Sequence, residues 1–156
     1  AIVSRHFFLI FNIIVMTSYH GIRTGCQPIA ALRVEVERDG KTYHLPMRLD
    51  LKYHSPSGLK CGFHGLGPLQ LSLAILTDFL RDDQKALELY QDFLDEVTSR
   101  LPSNTGWQLT DTQVVAAINA INLRNLKAAE DKRVTLIKSV SNTPGSRYDE
   151  NGNKCY

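Results

Sequence analysis

The chain has 156 residues, 43% of them hydrophobic and 22% charged, with a formal net charge of +2 at pH 7. Those proportions are ordinary for a soluble globular protein, and the length suits one domain with one sizeable core. A net charge this small does not argue for a nucleic-acid partner.

The charge is unevenly spread. Residues 16–60 carry net +3, residues 67–102 net −4 and residues 123–154 net +3. An acidic middle between two basic ends is read as pairing internally. Cys26, Cys61 and Cys155 are odd in number and lack paired spacing, so they read as reduced thiols of a cytoplasmic protein rather than a disulfide framework.

In chain order, residues 1–15 contain an apolar run, 7–15, broken by Asn12. A membrane-spanning helix needs roughly 20 mostly apolar residues, so the run is too short to span. Arg5 ahead of it suits a secretion signal, but residues 16–19 (MTSY) offer no small-x-small cleavage site. Residues 1–15 are therefore read as a non-native leader, upstream sequence read in frame, ahead of a chain starting at Met16. No membrane is expected for residues 16–156.

Residues 19–22 are expected to add a short edge strand. Residues 31–38, ALRVEVER, alternate strictly, which predicts a half-buried strand. Asp39-Gly40 is a favoured hairpin turn, and residues 41–45 return from it until Pro46. Residues 47–53, MRLDLKY, alternate again and are expected to form the third strand of an antiparallel meander. Residues 54–67 form a glycine-rich loop. The stretch after it, PLQLSLAILTDFL, is apolar on nearly every side of a helix and reads as a central core helix. Asp82 or Asp83 caps a second helix over 84–101, ended by Pro102. Gly106-Trp107 reads as a turn, with Trp107 packing over the end of that helix. Thr110 and Gln113 form a capping box that starts a third helix. Residues 134–140 read as a late strand or an extension of that helix, residues 16–141 as one domain, and residues 142–156 as a flexible tail. The fold class is α+β: an antiparallel meander of three or four strands packed against two or three helices.

The runs LDLKYHSPSGLKCGFHGLGPLQLSLAILTDFL, LYQDFLDEVTSRLP and GWQLT resemble an uncharacterised domain family of bacterial, phage and plasmid genomes. Its pattern pairs H-S-P-x-G with a glycine-rich G-x-G-P, then F-x-x-E-V and G-W-x-L. The resemblance covers residues 19–121 in the right order. Cys61 departs from it, standing where the family tends to have an aromatic before the glycine. The resemblance implies a shared fold and no activity.

The candidate sites are few. Asp50, His54, Ser55, Gly65 and Gly67 are the candidate ligand-binding residues of a pocket at the loop. The glycines favour a tight turn and close backbone approach over a phosphate cradle, because no Gly-Lys-Ser/Thr follows and Pro68 removes an N–H. His54, Cys61 and His64 have a loose metal-ligand spacing, with Asp50 and His44 nearby, but no metal and no cofactor is expected. His54-Ser55 with Asp50 lacks a nucleophile elbow and reads as a turn. Glu88, Asp92, Asp95 and Glu96 read as the solvated face of the second helix. Arg124, Lys127, Lys132 and Arg133, with Lys138, form the basic cluster on which nucleic-acid binding would rest. With no complete catalytic set, the leading reading is a small non-enzymatic accessory domain acting through a protein partner. Nucleic-acid binding and a loop-pocket enzyme or ligand binder are the alternatives.

Overall fold

The computed structural model describes residues 16–25 and 31–141. The expectations for residues 1–15 and 142–156 lie outside the described residues. The chain divides into two compact units, Ala1–Ile121 and Asn122–Tyr156.

The first unit is α+β. Strands β1 (Thr17–Thr24), β2 (Ala31–Arg38), β3 (Lys41–His44) and β4 (Trp107–Thr110) form an antiparallel sheet in the order β3-β2-β1-β4. The β2–β3 hairpin turns at Asp39-Gly40, both at positive φ, as the sequence predicts. Three helices complete the fold: α1 (Leu66–Leu80), α2 (Asp83–Phe93) and α3 (Asp111–Ser141).

Helix α1 is the core element. Leu71, Leu73, Ala74, Ile75 and Leu76 are all fully buried, so it has no solvated stripe to orient it. Helix α2 is capped by Asp82, whose Oδ1 accepts from the Lys85 N–H at 3.0 Å. The predicted second helix does not run regularly to residue 101. After Phe93 it widens into a π turn, Leu94–Thr98, where the Ser99 N–H donates to Leu94 O at 3.0 Å. The turn carries Thr98 to α1: its Oγ1 lies 2.7 Å from Ser72 Oγ, and both hydroxyls donate to Pro68 O. The capping box of α3 forms as predicted, Thr110 N–H donating to Gln113 Oε1 at 2.9 Å and Gln113 N–H to Thr110 Oγ1 at 3.4 Å.

Two expected strands and one expected turn change. Residues 47–53 are not a strand. Arg48 sits at φ 56°, the Leu51 N–H folds back to Arg48 O at 3.2 Å, and the backbone on either side is held by a side chain. Gln70 of α1 does this: its Nε2 donates to Met47 O at 2.6 Å, and its Oε1 accepts from the His54 and Ser55 N–H groups at 2.9 and 3.3 Å. Met47 and Leu51 pack against the core while Tyr53 is exposed, so the alternation of MRLDLKY marks neither a ladder nor one buried face. The edge strand expected over 19–22 is the eight-residue β1, which pairs on both sides. The expected turn at Gly106-Trp107 leads straight into β4, with Trp107 its first residue.

Gly21 and Trp107 explain why β1 tolerates a mid-strand glycine. They face each other across the β1–β4 ladder, and a Cβ on Gly21 would lie 2.1 Å from the indole. The glycine vacates the space that the buried ring fills. Gly21→Ala is expected to lower stability by about 1–3 kcal/mol through overpacking. Urea unfolding followed by the fluorescence of Trp107 measures it, and an unchanged midpoint would contradict the packing.

Candidate functional site

The side chains of Asp50, His54 and Ser55 meet different partners rather than one another. His54 stacks on Tyr90 of α2, with ring centroids 5.7 Å apart and planes 28° apart, and its Nε2 lies 3.3 Å from the Tyr90 hydroxyl. Burial, then the charge of Lys52, lowers its pKa. Ser55 Oγ donates to Gly58 O at 2.7 Å, closing the turn expected from the sequence. Asp50 turns outward to Arg48, whose guanidinium contacts it at 3.1 Å and grips Asp83 through two bonds of 2.8 and 2.7 Å. Those bonds to Arg48 hold the carboxyls of Asp50 and Asp83 below the usual range. Asp50, His54 and Ser55 thus make no nucleophilic set.

Gly65 and Gly67 act by close approach. Gly65 precedes α1, and its carbonyl accepts from the Leu69 N–H at 3.0 Å. A Cβ on Gly65 would press on the Phe63 ring at 2.6 Å, and one on Gly67 on the Lys60 stem at 2.7 Å. His64 pairs with Asp95 at 3.1 Å, away from Cys61. The Cys61 thiol is buried, donates to Pro102 O at 3.2 Å and accepts from Arg23 Nη2 at 3.4 Å. Burial pushes it up, against the lowering effect of the Trp107 and Arg23 side chains.

One half-buried polar cluster was missed by sequence reasoning. Asp78, near the end of α1 and only 7% exposed, accepts from Tyr19 at 2.8 Å, Tyr43 at 2.7 Å and Arg38 at 2.8 Å. Arg38 also donates from Nε to Thr17 Oγ1 at 3.0 Å. The cluster therefore joins α1 to β1, β2 and β3. Its sequence signal is a single charged residue, Asp78, in an otherwise uncharged helix.

In the second unit, helix α3 continues from residue 122 to 141 with an apolar stripe in water. Leu123, Leu126, Leu136, Ile137 and Val140 are between 58% and 69% exposed. By helical spacing Arg133 falls within this stripe, and the candidate residues Arg124, Lys127 and Lys132 fall outside it. Residues 134–140 are helix, the second of the two forms expected for them.

The model of a family of unknown function, DUF6166, matches residues 19–120, well over half of the chain. The chain belongs to the DUF6166 family. No curated protein and no solved structure matches it. The DUF6166 segment includes the glycine loop, the Gln70 clamp and the Asp78 cluster, and ends one residue before the first compact unit does. The exposed stripe of α3 lies beyond that segment. No helix among the described residues is long and apolar enough to cross a membrane.

The Asp78 cluster has a pH signature. Burial first, then Asp78, raises the pKa of Tyr19, and the same causes raise that of Tyr43. A raised phenol pKa means the fold favours the neutral form, so this stability is complete below the unfolded value of about 10 and is lost as pH climbs past it. The urea midpoint is expected to fall as pH rises from about 10 to about 12. In Tyr19→Phe/Tyr43→Phe the fall should be shallower, and an equal slope in both proteins would refute the cluster's role.

Proposed function

We propose that this chain is a non-enzymatic accessory protein whose DUF6166 domain carries a protein-docking helix, the part of α3 from residue 122 to 141. The observation behind this is the exposed stripe. A small protein rarely leaves this many large apolar residues of one helix in water unless something covers them. Most helical stability in proteins comes from packing an apolar face, and this part of α3 leaves its large apolar residues exposed. Supporting the non-enzymatic side, Asp50, His54 and Ser55 are each engaged with a different neighbour. The proposed setting is a bacterial cytoplasm, with the protein encoded on a chromosome, phage or plasmid. The free, buried thiol of Cys61 fits a reducing compartment.

Photo-crosslinking from position 140 tests the docking role. With benzoylphenylalanine replacing Val140 in the full chain, protein adducts are expected in cells. Leu126→Glu/Ile137→Glu should cut their yield about tenfold. The melting transition of the DUF6166 domain should barely move, because both positions are exposed. Absence of adducts, or adducts indifferent to the double substitution, would remove the docking reading.

A further inference from the structure

The stripe on α3 has a regular spacing. Positions 123, 126, 130, 133, 137 and 140 are separated alternately by three and four residues, the seam spacing of a coiled coil. They hold Leu123, Leu126, Glu130, Arg133, Ile137 and Val140. The seam is therefore apolar at both ends and carries one acid and one base at its middle. From 123 to 140 it spans about 26 Å at the α-helical rise.

We propose that this helix pairs with the same helix of a second copy of the chain, antiparallel, about a two-fold axis that passes between residues 131 and 132. The proposal rests on the docking reading above and names the occupant. An axis at that point sets Glu130 opposite Arg133 of the other copy, and Arg133 opposite its Glu130. It also sets Leu126 opposite Ile137 and Leu123 opposite Val140. Beside the seam, Ala129 of one helix lies against Leu136 of the other, small against large. Every seam position thus meets one of matching chemistry, as a self-complementary two-fold interface requires.

A parallel pairing fails the same check. It would set Glu130 against Glu130 and Arg133 against Arg133, two like-charge contacts inside the seam. A polar pair in a seam costs stability and fixes register and direction. The central Glu130 and Arg133 favour the antiparallel pairing over the parallel one, and self-pairing over an arbitrary apolar partner.

Sedimentation equilibrium of the full chain under reducing conditions tests this. A concentration-dependent dimer is expected. Glu130→Arg and Arg133→Glu alone should each raise its dissociation constant at least about tenfold, because two equivalent pairs turn repulsive. The swap Glu130→Arg/Arg133→Glu should restore it to within about threefold, since reversed pairs remain complementary. Far-ultraviolet circular dichroism confirms that each variant keeps its helix. A monomer, a dimer indifferent to the single substitutions, or one that the swap does not rescue would overturn the pairing. A monomer that still gives adducts from position 140 to another protein would overturn self-pairing and leave the docking reading standing. A monomer without adducts would remove both.

Discussion

Helix α1 is buried from Gln70 to Thr77, and the polar side chains it carries inward hold the rest of the fold in place. Gln70 replaces a strand partner for the backbone around Met47, His54 and Ser55. Ser72 meets Thr98 of the π turn at a shared carbonyl. Asp78 receives Tyr19, Tyr43 and Arg38 from three strands. An apolar helix alone would have no preferred rotation in the core, because every face is equally content there. Buried polar groups must be satisfied, so each of these three accepts one arrangement of its neighbours.

The same constraint accounts for two irregular features. The π turn after α2 aims a hydroxyl at α1 instead of continuing a regular helix. The coil over residues 47–53 forgoes ladder bonds because Gln70 supplies three bonds in their place, and Arg48 at positive φ closes the turn on Asp50 and Asp83. Gly21 and Trp107 are the apolar counterpart: an absent side chain on one strand makes room for the largest on the next.

The two compact units differ in how they satisfy their apolar surface. Val114, Ala117 and Ile121 of α3 belong to the buried core of the first unit. From Leu123 onward the apolar residues of the same helix face solvent. Their cost is lowered only by a covering surface, which is why the functional reading falls on this segment and not on the glycine loop. Of the candidates there, Ser55 closes its turn on Gly58, His54 stacks on Tyr90 and Asp50 pairs with Arg48.

Local chemistry settled what the sequence could settle. The alternation of 31–38, the Asp39-Gly40 turn, the Asp82 cap and the Thr110–Gln113 box each rest on bonds between near neighbours, so the hairpin, the three helices and the α+β class were legible in the residues. The central place of α1 was legible too, since no face of it is polar. Tertiary structure decided what needs distant partners. β1 becomes a central strand only because Trp107 fills the space over Gly21, and residues 47–53 leave the sheet only because Gln70 lies beneath them. The tyrosine and arginine partners of Asp78 lie 35 to 59 residues away from it in sequence, beyond any local pattern. The seam of α3 is the reverse case. Its three-and-four spacing is written in the sequence, but only the structure shows its large apolar residues exposed.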